Sequence, residues 1–282
     1  MIGGAGDDTL ISVSGNNTLD GGANTTGDGS GDWVWYNQKS IALDLNMNYI
    51  DGSGYAAANF GSESDKLIRI ENIRGTVQAD FIGGNDQNNT LDGYMGDGNT
   101  LVGSGGGDVL LGSTNGNDTF KAGILQANGS LIDGNDGNNT IDGKGGTNNT
   151  VDYSAYASGR TISVDMGALN GTDYSTVTVS DGTTDRIQNI QNITGGAGND
   201  TIIGNAQNNI LSGGAGNDII KGVEGNNQLL GGAGNDTIYS GQGDDIINGG
   251  ADNDTVSFED ASGDITVNLT TTTAQVIGGG MG

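Results

Sequence analysis

Between Gly195 and Ser257 the chain alternates a glycine-rich polar turn with a short apolar stretch at a strict period of nine residues. Seven blocks fit without remainder: GGAGNDTII, GNAQNNILS, GGAGNDIIK, GVEGNNQLL, GGAGNDTIY, SGQGDDIIN and GGADNDTVS. The eighth place is always aliphatic, in Ile202, Leu211, Ile220, Leu229, Ile238, Ile247 and Val256. Mixed residues on either side of it predict a short strand with one buried face. Because such a strand is unstable alone, we predict an all-β solenoid with two blocks per coil and two facing parallel sheets.

The sixth place of each block carries a short acid or its amide, in Asp200, Asn209, Asp218, Asn227, Asp236, Asp245 and Asp254. Blocks two apart lie on the same edge of such a coil, at the sheet spacing of about 4.8 Å. Bare carboxylates at that spacing would repel each other, so we expect a hard cation between successive coils, held by carboxylates and turn carbonyls. Calcium suits this oxygen-only set because it accepts six to eight ligands in loose geometry. The pattern therefore predicts several calcium ions.

These blocks resemble the GGxGxDxUx nonapeptide of the hemolysin-type, or RTX, calcium-binding repeats, which form a parallel β-roll. In that family an ion lies between carbonyls two and four and the Asp of one turn, and carbonyls one and three and the Asp of the turn two blocks later. The resemblance implies one site from Gly196, Gly198, Asp200, Gly213, Ala215 and Asp218, a second from Gly214, Gly216, Asp218, Gly231, Ala233 and Asp236, and a third from Gly232, Gly234, Asp236, Gly249, Ala251 and Asp254. Asn209 and Asn227 depart from the pattern, so the other edge is expected to bind metal weakly or not at all before Asp245.

The remaining chain contains less regular blocks and two longer inserts. We predict β-roll coils over 1–32, 75–152 and 195–257, strand-rich inserts over 33–74 and 153–194, and the start of a third insert over 258–282, all in one continuous solenoid. Further metal candidates in the irregular coils are Asp8, Asp80, Asp108 and Asp118. Residues 122–132 break the pattern and are expected to form a longer loop.

A second type of block reads NNT, aliphatic, Asp, at residues 88–92, 138–142 and 148–152, and a related block covers 16–20. Asn replaces the acid at its sixth place. An Asn side chain tolerates a left-handed turn and bonds its neighbours, which favours a hydrogen-bonded structural turn. A second kind of calcium site is the alternative.

In the first insert, the alternating residues Ile41, Leu43 and Leu45 predict one strand. After a polar loop, a second strand is expected at Leu67, Ile68, Ile70 and Ile73. Trp33 and Trp35 are read either as a ligand platform or as the cover of an apolar edge where the coil changes shape.

The inserts belong to a longer repeat. SIALDL at 40–45 matches TISVDM at 161–166, and IENIRG at 70–75 matches IQNITG at 190–195, a shift of about 120 residues. The second junction is similar to the one at which serralysin-type secreted proteases join their RTX roll. Those proteases need a zinc-binding HExxH motif, and this sequence contains no histidine.

Composition restricts the function further. The 282 residues include 56 glycines, no proline, cysteine or histidine, and a formal charge of −26, and only four of the 35 acids are Glu. Such a charge disfavours nucleic acid and anionic membranes as partners and destabilises a cation-free compact state. No Ser-His-Asp triad, cysteine nucleophile or histidine zinc site is available, and the repeat accounts for almost all carboxylates, so we expect no enzyme activity.

Three functions are compatible with this reading. The 120-residue modularity favours a calcium-stiffened structural or adhesive extender of a large extracellular protein, such as a surface-layer, biofilm or matrix component. The alternative is the secretion and folding module of an exoenzyme whose catalytic part lies elsewhere. Ice binding, which the family also contains, is disfavoured because the third place of most blocks is Ala instead of Thr.

The resemblance implies bacterial type I secretion and an extracellular or cell-surface location. No signal peptide or apolar run of membrane-spanning length occurs, and the chain is expected to be a piece of a longer repeat protein. Uncapped solenoid ends expose strand edges, so copies or neighbouring modules joining end to end are possible partners besides calcium.

Overall fold

The computed structural model describes residues 1–23, 31–50, 52, 54–113, 116–121, 124–125, 131–132, 137–157, 159–168, 174–259 and 275–279. They fall into two compact units, Met1–Asn149 and Thr150–Gly282. Every helix or strand assigned in the described part of the chain is a β-strand, which confirms the all-β prediction. Within that part, no helix has the length and apolar character to cross a membrane.

The first unit is built mainly from two sheets. Its strands are β1 (Ile2–Ala5), β2 (Thr9–Ile11), β3 (Thr18–Ala23), β4 (Trp33–Trp35), β5 (Asp44–Ile50), β6 (Ala56–Phe60), β7 (Glu63–Ile68), β8 (Asn72–Arg74), β9 (Phe81–Gly83), β10 (Thr90–Asp92), β11 (Thr100–Val102), β12 (Val109–Leu111), β13 (Thr119–Lys121), β14 (Ile124–Leu125), β15 (Leu131–Ile132) and β16 (Thr140–Asp142). One sheet has the order β1-β3-β7-β6-β5-β9-β11-β13 and the other β2-β4-β8-β10-β12-β16. Most neighbours are parallel, as a coiled chain requires.

The second unit repeats this plan. Its strands are β17 (Thr150–Asp152), β18 (Ile162–Asp165), β19 (Ser175–Val179), β20 (Thr184–Gln188), β21 (Asn192–Thr194), β22 (Thr201–Ile203), β23 (Ile210–Ala215), β24 (Ile219–Lys221), β25 (Gln228–Ala233), β26 (Thr237–Tyr239), β27 (Gly243–Ala251), β28 (Thr255–Ser257) and β29 (Gln275–Gly279). One sheet has the order β17-β21-β23-β25-β27-β29 and the other β20-β19-β18-β22-β24-β26-β28. Consecutive blocks therefore enter alternate sheets.

The register of the second unit confirms a coil of two blocks. In one sheet Ile202 pairs with Ile220 and Ile220 with Ile238, so that equivalent residues recur every two blocks. Leu211 and Leu229 pair in the same way in the other sheet. All these eighth-place side chains are fully buried, and each contributes about 1.5–3 kcal/mol. Val256 of β28 is the exception, since 37% of it is exposed.

Glycines at the second and fourth places allow the coils to stack closely. Gly214, Gly216, Gly232 and Gly234 have φ between 105° and 121°, in the region that residues with a Cβ rarely adopt. A Cβ on Gly232 would also collide with the carbonyl oxygen of Gly214 in the coil before it. The turn therefore requires glycine both for its backbone conformation and for space.

Both inserts form three antiparallel strands within a parallel sheet, β5-β6-β7 in the first unit and β18-β19-β20 in the second. The polar loop predicted for the first insert is wrong in part, because it contains β6, whose alternate residues Ala56, Ala58 and Phe60 are buried. Leu43 and Leu45 are buried as predicted. Ile41 lies before the strand and is 51% exposed.

Neither interpretation of the tryptophans is supported. Trp33 and Trp35 flank the buried Val34 on β4, which pairs in parallel with β2 on one side and β8 on the other, so they do not cover a free edge. The guanidinium of Arg74 lies 4.4 Å from the centre of the Trp35 ring and shields it by a cation–π contact.

Two predicted segments lie largely outside the described residues. Of the loop expected over residues 122–132, the structure describes β14 and β15, an antiparallel pair. Residues 260–274 and 280–282, most of the expected third insert, are outside the described part, and β29 pairs antiparallel with β27.

Candidate metal centres

A ladder of carboxylates follows one edge of the second unit. The backbone N–H of Asp200 donates to Oδ1 of Asp218 at 2.7 Å, and that of Asp218 donates to Oδ1 of Asp236 at 2.8 Å. The N–H of Asp236 donates to Oδ1 of Asp254 at 3.0 Å. Asp254 is half-buried and the other three acids are almost completely buried. One oxygen of each later acid is thus fixed by the coil before it.

The second oxygens of two of these acids have no donor. Oδ2 of Asp218 and Oδ2 of Asp236 are buried and accept no hydrogen bond from any residue in the described part of the chain. Oδ2 of Asp200 differs, since the N–H of Gly196 donates to it at 2.8 Å. A buried carboxylate oxygen without a partner is unfavourable, so a cation at this edge would remove a large desolvation cost.

First-place glycines form the space in which such a cation would lie. A Cβ on Gly213 would lie under 3.0 Å from both Asp218 Oδ2 and Gly231 O, and one on Gly231 equally close to Asp236 Oδ2 and Gly249 O. A Cβ on Gly249 would collide with Asp254 Oδ2. We call the space beside such a glycine a cradle; each cradle holds a carboxylate oxygen, and those of Gly213 and Gly231 also hold a carbonyl oxygen of the next coil. Oxygen-only surroundings of this kind fit calcium.

The other predicted carbonyls lie at the same edge. A Cβ on Gly214 would collide with Gly196 O, one on Gly216 with Gly198 O, and one on Gly234 with Gly216 O. Third-place residues take part in hydrogen bonds between coils, because Ala215 N–H donates to Gly196 O, Gly216 N–H to Ala233 O, and Gly234 N–H to Ala251 O. A carbonyl oxygen has two lone pairs, so these bonds leave each acceptor one for an ion.

Burial shifts the titration of the same acids. Desolvation raises the pKa of Asp218 to about 7; the backbone hydrogen bond from Asp200 lowers it in part, and the charges of Asp200 and Asp236 raise it. Burial likewise raises the pKa of Asp200, Asp236 and Asp245. Without a cation, burial therefore disfavours the charged form of these acids. A bound divalent ion would reverse this preference.

On the opposite edge, amides occupy the position of the cation-facing oxygens. Oδ1 of Asn227 accepts the N–H of Asn209 at 2.9 Å, as an Asp would, but Nδ2 of Asn227 donates to the carbonyls of Glu224 and Gly225 at 3.2 Å each. Asn209 Nδ2 similarly donates to Gln191 O at 2.7 Å. Asp245 ends this row with a buried Oδ2 that has no partner in the described chain. The Asn turns of this edge are therefore hydrogen-bonded.

The candidates in the first unit differ among themselves. Both oxygens of Asp80 accept hydrogen bonds, Oδ1 from the N–H of Leu43 and the hydroxyl of Thr76 and Oδ2 from the N–H of Thr76, and burial raises its pKa. Ser113 and Asn99 similarly use both oxygens of Asp118. Like Asp200, whose two oxygens also accept N–H groups, these acids have no buried oxygen without a donor in the described chain.

Two other first-unit candidates have the cradle. A Cβ on Gly103 would collide with Oδ2 of Asp108, whose Oδ1 accepts the N–H of Asn89 at 2.7 Å. At Asp8, Oδ2 is buried without a partner in the described chain, and a Cβ on Gly3 would lie under 3.0 Å from this oxygen and from Gly21 O.

The next acid in the Asp8 row was missed from the sequence. Asp8 N–H donates to Oδ1 of Asp32 at 2.7 Å, so Asp32 accepts the backbone hydrogen bond of Asp8 just as Asp218 accepts that of Asp200. It follows Asp8 by 24 residues instead of 18, because its block has six additional residues between Gly21 and Asp32. The signal in the sequence was GGA at 21–23 followed by Gly31 and Asp32.

No group of three acidic side chains converges on one point in the described part of the chain. The candidate ligand sets therefore combine two carboxylates with several carbonyls. Fold and sites together define a parallel β-roll with candidate hard-cation sites between its coils.

The comparison with known families agrees with this class. The sequence model of the RTX calcium-binding nonapeptide repeat matches residues 2–25, 130–149, 190–220 and 221–256. The chain thus contains RTX repeats, in stretches that make up less than half of its length, and such repeats bind calcium. No curated protein matches the chain as a whole.

Proposed function

We propose that the chain is a calcium-stabilised structural or adhesive extender of a large secreted or cell-surface protein. The observation that carries this proposal is the set of buried carboxylate oxygens without donors at Asp218, Asp236 and Asp245. Such oxygens are compatible with a stable roll only when protons or cations neutralise them. Calcium supplies the positive charge between coils, and the chain supplies the carboxylates, the turn carbonyls and the apolar column.

The same residues give a route to folding after export. In a low-calcium cytoplasm the acidic, glycine-rich chain stays unfolded, which suits passage through a type I secretion channel. Outside the cell, at roughly millimolar calcium, the ions bind and binding free energy becomes folding free energy. The proposal assigns no catalytic role to the chain.

The extender is favoured over a single secretion module because the chain contains two insert-and-roll modules. Each insert has three antiparallel strands, and each places a buried tyrosine before them, Tyr36 in the first unit and Tyr153 in the second. The alternative, a secretion and folding module of an exoenzyme, draws on the serralysin-like junction before Gly195.

Two measurements on the source cells test this function. The extender predicts a source protein of many such modules that leaves the cell surface when calcium is chelated. A source protein with one short roll attached to a catalytic domain, found in the medium in both conditions, would favour the alternative. Sedimentation of the purified chain with and without calcium tests whether copies join end to end.

A further inference from the structure

The first unit contains a second acid ladder step that no nonapeptide block encodes. The backbone N–H of Asp32 donates to Oε2 of Glu71 at 2.8 Å, in the way that Asp200 N–H donates to Oδ1 of Asp218. Glu71 is thus the sixth-place residue of the next coil, although it stands between the insert strand β7 and the roll strand β8. Gly31 makes room for the longer side chain, since a Cβ there would lie under 3.0 Å from Cβ and Oε2 of Glu71.

Oδ2 of Asp32, like Oδ2 of Asp218, is buried without a hydrogen-bond donor in the described chain. The Asp32 side chain is 0% exposed. A Cβ on Gly21 would collide with both this oxygen and the carbonyl oxygen of Arg69. The cradle is therefore that of Gly213, with an arginine carbonyl in place of the glycine carbonyl.

Several acids act on Asp32. Burial raises the pKa of Asp32, the backbone bond from Asp8 lowers it, and the charges of Glu71, Asp8 and Asp7 raise it further. The guanidinium of Arg69, whose carbonyl oxygen lies beside Gly21, forms an ion pair with Asp20. Arg69 therefore contributes only its carbonyl to this space.

We propose that Oδ2 of Asp32, the carbonyl of Arg69 and the carboxylate of Glu71 form a further divalent-cation site, of the hard, calcium-binding class. Neither acid lies in a stretch matched by the repeat model. The site would tie the strand that leaves the first insert to the roll coil before it. This inference rests on the proposed calcium-dependent function and extends it to a place where the repeat is interrupted.

The second unit contains the natural control. Gln191 occupies the position of Glu71, because its carbonyl accepts the amide of Asn209 at 2.7 Å just as the Glu71 carbonyl accepts the amide of Asn89 at 2.8 Å. Glu71→Gln therefore installs a residue that this backbone already accommodates. It removes one carboxylate and leaves the Asp8–Asp32 step in place.

The test compares wild type, Glu71→Gln and Glu224→Gln, the last an exposed residue with the same chemical change. Equilibrium dialysis with calcium is expected to give one bound ion fewer in Glu71→Gln and the wild-type number in Glu224→Gln. Terbium gives an independent readout, since both tryptophans lie on β4 directly after Asp32. Tryptophan-sensitised terbium emission at saturation should fall in Glu71→Gln only.

The outcomes separate this site from the general function. If wild type binds no calcium, the proposed function fails. If wild type binds calcium but Glu71→Gln keeps both the ion number and the tryptophan-sensitised emission, this site alone is refuted. If Glu71→Gln fails to give the strand signal in circular dichroism, the number of bound calcium ions is measured in Asp32→Asn instead. An unchanged ion number in that variant also overturns the proposal.

Discussion

Asp218→Asn is the substitution whose effect should change sign with calcium. Asp218 is shared by two predicted sites, and its Oδ1 would still accept the N–H of Asp200 as an amide oxygen. We expect its new amide to donate to the Gly231 carbonyl, which lies in the same cradle beside Gly213. On the opposite edge, Asn227 donates to carbonyls of its own turn, those of Glu224 and Gly225. In chelator the variant should therefore be more stable than wild type.

The size of the change follows from the pKa. Keeping Asp218 ionised at neutral pH costs at most about 4 kcal/mol, at ~1.4 kcal/mol for each unit between 3.8 and about 7, and solvent screening reduces this. A new amide–carbonyl bond adds about 1 kcal/mol. We therefore expect the free energy of unfolding in chelator to rise by about 1–4 kcal/mol.

In calcium the same variant should lose stability. Each lost ion removes about 2.7 kcal/mol when free calcium is 100 times its dissociation constant, and two sites share this residue. Urea unfolding followed by circular dichroism, in chelator and in calcium, measures both effects. Asp244→Asn is the matched control, because Asp244 is exposed and loses the same charge. A variant that is less stable than wild type in chelator, or that keeps the full calcium response, would refute the reasoning.

The remaining predictions concern pH, the buried tyrosines and the glycine turns. Because the pKa of Asp218 is raised in the folded chain, protonation of this acid favours folding when calcium is removed by chelator. The free energy of unfolding in chelator should therefore fall as pH rises from about 4 to 7, and a rise over that range in urea titrations would contradict this. Tyr153→Phe should lower the free energy of unfolding by about 1–3 kcal/mol, because buried Asp185 loses the 2.9 Å hydrogen bond from the tyrosine hydroxyl. Tyr36→Phe should be neutral or stabilising, since the Tyr36 hydroxyl has no partner in the described chain, and equal losses in thermal unfolding would count against this contrast. Gly232→Ala should destabilise by more than 1 kcal/mol in both calcium and chelator, because of its positive φ and the collision with the coil before it, and an unchanged melting temperature would show that the turn can relax.

The regular stretch was predictable because the period itself encodes the geometry. Two blocks per coil follow from the alternation of glycine turns and single buried aliphatics, and Ile202 and Ile220 pair as that count requires. The cation-facing position of Asp218 follows from the same register. A sequence pattern of period nine thus predicts both the fold and which acids face each other.

The sequence alone did not show which acids in the irregular blocks are metal ligands, because that depends on the residues that donate hydrogen bonds to their oxygens. Asp80 and Asp118 fit the sixth place, but Thr76 and Ser113 stand where glycine is expected, and their hydroxyls and N–H groups use the oxygens that would bind metal. The hydroxyl residue after the first-place glycine does not by itself separate these acids from the other candidates, since Ser104 stands there in the Asp108 block too. It was visible in the sequence, although its consequence appears only from the hydrogen bonds.

Insertions hid the other features. Asp32 lies in a block with six additional residues, so that spacing alone does not align it with Asp8. Strand β6 was missed because its Ala-Ala-Ala-Asn-Phe sequence has few residues that favour strands, and packing between β5 and β7 determines its conformation instead.

The central claim is that divalent ions between coils neutralise the buried aspartates and so stabilise the roll. Its most direct test is the free energy of unfolding of the wild-type chain at neutral pH, measured against free calcium concentration. The account predicts that this free energy rises continuously from chelator to millimolar calcium, by the summed binding free energy of several ions. An equally stable strand structure in chelator and in millimolar calcium would contradict it.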